Sequence, residues 1–339
     1  MRIKTKLIID TDGLSDDVRA ISLALQNQAT EVVSITATHG CISVDQVVAN
    51  ISRTLRANRK KVPIYKGAAN PFLLKETPLD ETSLFGKDGI SDRPHDFPEA
   101  IPGDFSSFEP NKHAAQALIE LCRDHSDMTI VCLGALTNIA LALKLDPSFA
   151  GMPKKVVIMG GNYYAIGNVG STLTAEFNFF GDPEAAQIVL SEMECPITVV
   201  PWEAFFIEGK KHEREVDFEA HLKLGTPLSN YLSLVTSVGR EIMGRNGRQF
   251  AYCDEIAVAA AIDPENVVAK SQKFRVSVEL NGKHTRGQVA VDWTRPLFEE
   301  ENVDGLNKFD VSRRFIEFVT SYNVKWVDQM MHEAVLNSK

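Results

Sequence analysis

Residues 7–23 read Leu-Ile-Ile-Asp-Thr-Asp-Gly-Leu-Ser-Asp-Asp-Val-Arg-Ala-Ile-Ser-Leu, an apolar run followed by four closely spaced carboxylates. The apolar run predicts a buried strand, and the spacing of the apolar residues after Asp16 is typical of a helix. Asp10 and Asp12 are two residues apart, so at the end of a strand their side chains share one face. The stretch therefore predicts a strand, an acidic turn and a helix.

The four carboxylates of this turn need a positive partner. Like charges so close together repel by kilocalories per mole unless a cation joins them. Oxygen ligands are those that Ca²⁺ and Mg²⁺ prefer, whereas Zn²⁺ favours nitrogen and sulfur. The alternative is an acidic turn in which Asp16 only caps the helix.

Short apolar runs alternate with amphipathic stretches along most of the chain. This alternation predicts an α/β fold with a mostly parallel, doubly wound (Rossmann-like) central sheet. Ligands of such sheets bind at the C-terminal ends of the strands. The predicted strands are 6–10, 32–38, 62–66, 128–133, 155–160 and 197–201, and the predicted helices are 16–28, 43–58, 111–124, 136–145 and 183–192.

The remaining segments are less regular. Residues 68–110 are rich in Pro, Gly and Asp and predict a long surface excursion, and long loops of this kind are often functional. Residues 203–227 are charged and predicted to be helical in part. Two β-like runs, 273–280 and 287–292, precede a predicted long amphipathic helix at 310–335. No linker composition interrupts the chain, so we expect a single domain over 1–339.

Composition excludes several classes of protein. The formal net charge is −9 and the sequence has no basic run, which argues against nucleic acid as a partner. The five cysteines are scattered without metal-site spacing, a usage typical of a reducing compartment. No apolar stretch is long enough to cross a membrane, and we expect a cytoplasmic protein.

Three further motifs carry polar side chains. Thr137 follows a predicted strand, where it caps a helix or presents its backbone carbonyl to a cation. Asp254 begins an Ala-rich helix, where it is a capping residue or a distant cation ligand. The third motif follows two glycines that allow close approach of a ligand, and its members are suited to sugar hydroxyls or are solvated loop residues: Asn168, Glu176 and Asn178. In extended chain the last two point the same way.

These motifs together resemble one family. Asp10-Thr-Asp-Gly-Leu-Ser-Asp-Asp17 resembles the Asp-x-Asp-Pro-Gly-x-Asp-Asp signature of the inosine–uridine-preferring nucleoside hydrolases. Further segments resemble that family's later motifs in the same order: Leu136–Ala140, Met159–Gly161, Glu176–Asn178, Asp182–Ala186 and Asp254. The resemblance extends from about residue 6 to residue 293.

The resemblance implies an enzyme that hydrolyses the N-glycosidic bond of ribonucleosides with a bound Ca²⁺. It makes the side chains of Asp12, Asp17 and Asp254 ligands of Ca²⁺. The backbone carbonyl of Thr137 becomes a fourth ligand. Two ribose hydroxyls and one water complete the shell. Asp16 becomes the base that takes a proton from this water, and Asp10 supports the site. The resemblance also implies that Asn168, Glu176 and Asn178 contact the ribose. A homodimer or homotetramer is expected by resemblance only.

The chain departs from the family pattern in four places. Gly13-Leu14 replaces Pro-Gly, Cys41 replaces an Asn found in many members, and the stretch from Asn168 to Glu176 is about two residues longer. Cys253 stands where well-known members have a His that protonates the leaving base, as in a less characterised branch. The candidates for the leaving-group side are Cys253, His39 and Cys41. Further candidates for contact with the base are Phe85, His95, Trp202 and Tyr252.

Two other functions remain open at this point. Asp10-Thr-Asp-Gly13 mimics the nucleophile motif of haloacid-dehalogenase-type phosphatases, in which Asp10 would trap a phosphoryl group. A second alternative is a catalytically impaired homologue that binds a nucleoside or ribose with Ca²⁺ without turning it over, through Cys41 and Cys253.

Overall fold

The computed structural model describes residues 4–73, 82–169, 174–293 and 314–338. Within these residues, nine strands form one sheet in the order β3-β2-β1-β4-β5-β6-β9-β7-β8. The strands are β1 (Thr5–Thr11), β2 (Thr30–Ala37), β3 (Ile64–Lys66), β4 (Thr129–Cys132), β5 (Lys155–Met159), β6 (Ile197–Val200), β7 (Val268–Val278), β8 (Val289–Asp292) and β9 (Phe315–Tyr322).

The sheet is parallel from β3 to β9, and β7 is antiparallel to both β9 and β8. The order of the first six strands is that of a doubly wound sheet: β1 to β3 are added in one direction, and after β3 the chain returns to place β4 on the other side of β1. A crevice therefore forms where the C-terminal ends of β1 and β4 diverge to their crossover connections. The predicted α/β fold and its parallel sheet are confirmed.

Helices cover both faces of this sheet. They are α1 (Ser15–Gln26), α2 (Val44–Ala57), α3 (Thr82–Phe85), α4 (Ala114–Asp124), α5 (Thr137–Leu145), α6 (Phe177–Gly181), α7 (Pro183–Glu192), α8 (Gly209–His212), α9 (Pro227–Val235), α10 (Ser237–Arg245), α11 (Asp254–Ile262), α12 (Pro264–Val267) and α13 (Val324–Asn337). A π-helix spans Ala204–Glu208, and 3₁₀ helices span Pro102–Ser106, Pro147–Gly151 and Ala220–Lys223.

Alternate residues of each strand enter two separate apolar cores. Leu7 and Ile9 pack with α1, α2, α9, α11 and α13, whereas Ile8 packs with α4, α5 and α7. Because side chains alternate along a strand, one strand supplies both layers, and apolar runs without polar interruption are the result. The all-apolar strands predicted from the sequence have this origin.

The two irregular segments carry short helices, as predicted for 203–227. Residues 68–110 contain α3 and one 3₁₀ helix, with 74–81 outside the described residues. This segment is not only a surface excursion. Ile90 and Asp104 are buried, and Arg53 of α2 donates hydrogen bonds to the backbone carbonyls of Arg93, Asp96 and Pro98.

The prediction of one long helix over 310–335 is wrong in its first half. Phe315–Tyr322 is β9, which lies inside the sheet between β6 and β7, and only Val324–Asn337 is helical. Residues 310–313 lie outside the described residues. A short amphipathic run fits both periods, and here the pairing with β6 and β7, which are distant in the sequence, selects the strand.

Every helix among the described residues is too short or too polar to cross a membrane.

Candidate active site

A cavity of about 250 Å³ opens at the C-terminal ends of β1, β4 and β5. One side of it is acidic, with the carboxylates of the β1–α1 turn and of α11: Asp12, Asp16, Asp17 and Asp254. The other side is apolar. It includes six large apolar side chains: Leu84, Phe85, Trp202, Phe205, Phe206 and Phe250. The cavity is therefore amphipathic in the way that suits a ligand with a polar half and a flat apolar half.

The β1–α1 turn is held by its own side chains. Thr11 donates its hydroxyl to Asp17 Oδ1 and accepts a hydrogen bond from the backbone N–H of Gly13 at 3.1 Å. The N–H of Leu14 donates to Asp17 Oδ2 at 3.0 Å. The predicted alternative, that Asp16 serves only as a helix cap, is wrong, because α1 begins at Ser15 and Asp17 is the carboxylate that bonds its first turn.

Two glycines let the backbone approach this turn. Gly13 has φ of +69°, and a Cβ there would lie 2.9 Å from Val47 Cγ1. A Cβ at Gly40 would lie only 2.2 Å from Asp12 Oδ2. Gly13, which lies one position before the glycine of the family signature, thus supplies a left-handed turn residue. Gly40 leaves room for the Asp12 carboxylate.

Asp10 lies behind the cavity and does not line it. Its Oδ1 accepts hydrogen bonds from Thr36 Oγ1 at 2.6 Å and from Asn138 Nδ2 at 2.8 Å. The carboxyl is fully buried, and this burial raises its pKa to about 7 against the effect of the two hydrogen bonds. Its Oδ2 has no hydrogen-bond partner among the described residues. Asp10 can brace the turn from behind the cavity.

The other carboxylates of the cluster destabilise one another's charged forms. Burial raises the pKa of Asp17 to about 7, with repulsion from Asp16 adding to the effect. Burial followed by repulsion from Asp17 raises the pKa of both Asp12 and Asp254 well above the usual range. Asp16 is half-buried; burial raises its pKa, and Arg19 lowers it. The metal-free cluster thus holds protons that a bound cation would displace.

The donor set fits a hard divalent cation. Asp12 Oδ2 and Asp16 Oδ1 are buried and have no hydrogen-bond partner among the described residues. An unpartnered carboxylate oxygen in such a place is costly unless a ligand or ion satisfies it. The oxygen-rich acidic side accordingly suits Ca²⁺ or Mg²⁺.

Cys253 and Asp254 bring the start of α11 to the same cavity. Ligand atoms of Asp16, Cys253 and Asp254 all lie within 4.8 Å of one another. The thiol is a soft ligand that a hard cation does not favour, so within this group the two carboxylates are the better donors. Burial raises the pKa of the Cys253 thiol well above its usual range, which keeps it protonated.

Glu176 and Asn178 both line the cavity, but not by the extended geometry expected from the sequence. Glu176 caps α6, where Oε1 accepts from the N–H of Asn178 and Oε2 accepts from those of Gly161 and Phe179. Asn178 lies inside α6 and donates Nδ2 to the carbonyls of Leu133 and Met159 at 3.0 and 3.2 Å. The expectation of extended backbone at 178 is therefore wrong, because helix α6 begins at Phe177.

Asn168 is half-buried in the cavity wall, and its Oδ1 has no hydrogen-bond partner among the described residues. The backbone N–H of Asn168 donates to the carbonyl of Ala175 at 3.1 Å. The longer connection between Asn168 and Glu176 includes residues 170–173, which lie outside the described residues. Asn168 therefore offers the cavity an unsatisfied acceptor.

Thr137, His39 and Cys41 do not line the cavity. Thr137 begins α5 and donates its hydroxyl to Asp182 Oδ2 at 2.7 Å, and His39 Nε2 lies 2.9 Å from the same hydroxyl. Thr137 is therefore not a side-chain cap, although its carbonyl remains a predicted ligand. Burial lowers the pKa of His39 to about 4, so the imidazole is neutral near pH 7.

The apolar side is built from aromatic side chains in mutual contact. The ring of Trp202 stacks on Phe205 with centroids 4.6 Å apart and on Phe206 at 6.4 Å. Arg248 is the only basic residue lining the cavity within the described chain; its guanidinium lies 5.7 Å from the Phe206 ring centroid and pairs with Glu213. Of the base-contact candidates, Phe85 and Trp202 line the cavity.

The other two base-contact candidates lie elsewhere. His95 is exposed on the surface. Tyr252 is fully buried and donates its hydroxyl to Asp328 at 2.6 Å.

Several supporting residues gave no sequence signal. Asn138 donates a hydrogen bond to Asp10. The only feature of the sequence that indicates a role for Asn138 is its position directly after the predicted ligand Thr137. Arg19 and Glu255 form a buried ion pair that joins α1 to α11, and Arg248 belongs to an irregular segment. The contacts of Asn138 with Asp10 and of Arg19 with Glu255 join residues more than a hundred positions apart, which local patterns do not record.

Comparison with known proteins gives consistent matches. The family described as inosine-uridine preferring nucleoside hydrolase matches residues 7–316. The inosine-uridine preferring nucleoside hydrolase of Leishmania major is 32% identical over 299 residues, covering 86% of this chain and 88% of that protein. The corresponding protein of Crithidia fasciculata is 31% identical over 329 residues, covering 91% and 94%. A solved inosine-guanosine nucleoside hydrolase superposes with a TM-score of 0.82 at 28% identity, covering 98% of both chains.

Proposed function

Because this chain belongs to the inosine-uridine preferring nucleoside hydrolase family, we propose that it hydrolyses ribonucleosides to base and ribose with Ca²⁺, using Asp16 as the base. The membership itself makes the protein a nucleoside hydrolase acting on an N-glycosidic bond. We propose the identity of the metal, the roles of the individual residues and the proton transfers.

The observation that carries the proposal is the amphipathic cavity. Its acidic side offers carboxylates and amides for a cation and for sugar hydroxyls, and its aromatic side offers rings for a flat base. A nucleoside has these two halves joined by the bond that is cleaved. The arrangement would place the glycosidic carbon between the two sides, within reach of Asp16.

We propose different roles in the reaction for the acidic residues. Asp12, Asp17 and Asp254, with the carbonyl of Thr137, would hold Ca²⁺, which when bound orients the ribose and lowers the pKa of a water. Asp16 is half-buried and faces the cavity, so it can accept a proton from the attacking water. Asp10, held by Thr36 and Asn138, keeps the turn in place from behind.

The sugar becomes positively charged as the base departs. The acidic wall stabilises an oxocarbenium-like sugar by electrostatic attraction, and this needs no covalent sugar–enzyme intermediate. Asn168, with its unsatisfied Oδ1, Glu176 and Asn178 are the ribose contacts we propose, and Glu176 also anchors the backbone that positions Asn178.

The departing base needs a donor. The protonated Cys253 thiol lines the same cavity, but it is shorter and a weaker hydrogen-bond donor than an imidazolium. Arg248 offers guanidinium N–H groups on the aromatic side, where negative charge on a leaving base would develop.

The phosphatase alternative fails on the geometry of its nucleophile. It requires Asp10 to attack a phosphoryl group, but Asp10 is fully buried, does not line the cavity and has Oδ1 engaged by two donors. The binding-only alternative keeps the cavity and predicts ligand binding without release of base. A turnover assay separates it from the proposed function.

Ribose recognition is tested with nucleosides that lack one hydroxyl. We expect inosine and uridine to be hydrolysed with kcat/KM about 10⁴-fold above their 2′-deoxy counterparts, because a site built to bond a hydroxyl strongly rejects an analogue without it. Release of base is followed by liquid chromatography, with thymidine as a further deoxynucleoside. Equal turnover of ribo- and deoxyribonucleosides would remove the 2′-hydroxyl from the proposed contacts.

Replacing Cys253 with histidine tests the leaving-group side. An imidazole beside Asp16 and Asp254 would be held protonated and could donate to a purine nitrogen, so we expect kcat for inosine to rise about tenfold or more. Cys253→Ala removes the thiol without adding a donor and should change kcat far less. Cys41→His, outside the cavity, is the matched control. Unchanged kinetics in Cys253→His would place residue 253 away from the base.

A cytoplasmic location and a homodimer or homotetramer remain part of the proposal. The scattered cysteines, without metal-site spacing, support a reducing compartment.

A further inference from the structure

An ion pair is buried directly behind the acidic wall. Arg19 lies on α1, two residues after Asp17, and Glu255 lies on α11, one residue after Asp254. Both side chains are 0% exposed, and Arg19 Nε contacts Glu255 Oε1 as an ion pair without the alignment of a linear hydrogen bond. Full burial of both charges is expensive, so such a pair needs further partners.

Arg19 finds these partners in the backbone before α11. Its Nη1 donates to the carbonyl of Phe250 at 3.3 Å and its Nη2 donates to the carbonyl of Ala251 at 3.0 Å. The guanidinium also lies 4.6 Å from the centroid of the Phe250 ring. One side chain of α1 thus holds two consecutive peptide groups and one ring of the segment that leads into α11.

Glu255 completes the connection from the other end. Its Oε2 accepts a hydrogen bond from the backbone N–H of Cys253 at 2.8 Å, while Oε1 faces Arg19. The segment 250–253 is consequently held at its start by Arg19 and at its end by Glu255. Phe250, Cys253 and Asp254 all line the cavity.

We propose that Arg19 and Glu255 form a positioning clamp, which sets segment 250–254 against α1 so that Asp254 meets Asp17 and Asp16 and the Phe250 and Cys253 side chains form the cavity wall. The proposal rests on the proposed function, because it gives the clamp a role in that reaction. The pair touches no ligand and acts only through the residues it holds.

Stability alone gives no reason for this pair. Replacing a buried ion pair with apolar residues of similar volume is often neutral or stabilising, whereas removal of one partner strands a buried charge. A pair whose only task was to fill the core would therefore be replaceable without loss of activity. A clamp would not be, because apolar side chains cannot hold the carbonyls of Phe250 and Ala251 or the N–H of Cys253.

The test compares Arg19→Met, Glu255→Leu and the double variant with the wild-type protein. Each single variant should lose thermal stability. The double variant should recover part of it because no unpaired charge remains, although the backbone groups that the pair held lose their partners. The double variant should nevertheless have kcat/KM for inosine and affinity for Ca²⁺ each lowered about 10- to 100-fold, the usual cost of removing a residue that orients ligands. Ca²⁺ affinity is measured by calorimetry without substrate.

A second readout follows the segment itself. Cys253 is 5% exposed, and loosening of segment 250–254 should speed its alkylation by iodoacetamide about tenfold, measured by mass spectrometry. Arg53→Met is the matched control, since Arg53 is a buried arginine that also binds backbone carbonyls, at Arg93, Asp96 and Pro98, and does not line the cavity. It should lose stability with no change in Cys253 alkylation.

A double variant with wild-type kcat/KM, Ca²⁺ affinity and Cys253 alkylation would overturn the clamp. If the double variant does not fold, Arg19→Lys keeps a charge beside Glu255 but cannot reach all three partners, and faster alkylation of Cys253 is again expected. A wild-type protein that hydrolyses no ribonucleoside would contradict the proposed function instead, and Ca²⁺ affinity with Cys253 alkylation would still decide on the clamp.

Discussion

Replacing Asp16 with asparagine is expected to lower kcat for ribonucleosides about 10³-fold, while KM changes by less than about threefold. Asp16 is the half-buried carboxylate of the β1–α1 turn, and it lines the cavity, as Asp12 and Asp17 also do. Asparagine keeps the size and one acceptor oxygen but cannot take a proton. Loss in kcat without loss in KM is therefore the signature of a base that acts in the transition state.

A matched control separates this effect from a general change of the fold. Asp104 is a buried carboxylate outside the cavity, paired with Arg56 and bonded to Ser52. Asp104→Asn should lower thermal stability and leave kcat close to that of the wild-type protein. An Asp16→Asn variant that retains most of its kcat would show that another group takes the proton.

Removal of divalent cations is expected to abolish turnover, and added Ca²⁺ is expected to restore it. The protein should also lose thermal stability in chelator, because its buried carboxylates then repel one another without a neutralising ion. Ca²⁺ at a thousand times its Kd would contribute about 4 kcal/mol to the free energy of unfolding. Unchanged kcat in chelator, after the metal content has been measured, would contradict the metal's role.

The same stabilisation should depend on pH in a defined direction. In the metal-free protein, the pKa values of Asp10 and Asp17 are raised to about 7, whereas the unfolded chain releases these protons near 3.8. Between these values the folded state holds more protons than the unfolded state, so its stability falls as pH rises. Bound Ca²⁺ favours the ionised carboxylates and opposes this fall. The difference in Tm between Ca²⁺-loaded and chelated protein should therefore widen as the pH rises from 4.5 to about 7.

The β1–α1 turn could be predicted from the sequence because its information is local. An apolar run, four carboxylates and a helical period follow one another within residues 7–23, and the structure has β1, the acidic turn and α1 there. The positions of the later motifs depend on how the strands are arranged in the sheet. Residues at the ends of parallel strands meet at one edge, which brings the segments after β4 and β5 together. Asp254 begins α11, which no strand directly precedes, and its expected place beside Asp17, 237 positions earlier, comes from the family resemblance.

Other features depend on contacts that no local pattern records. β9 was expected to be helical because its apolar spacing fits either period, and only pairing with β6 and β7 selects the strand. Asn178 was expected in extended chain, but the Glu176 side chain caps α6 and turns the backbone into a helix. No local pattern around Arg19 shows that Glu255, which is distant in the sequence, pairs with it.

The most direct measurement of the central claim is the release of ribose and base from a panel of ribonucleosides, with Ca²⁺ present, by the wild-type protein and by Asp16→Ala. We expect equal amounts of free base and ribose from at least one purine or pyrimidine ribonucleoside with the wild-type protein, and a rate about 10³-fold lower with Asp16→Ala. No release of ribose from any ribonucleoside by metal-loaded wild-type protein would contradict the proposed function.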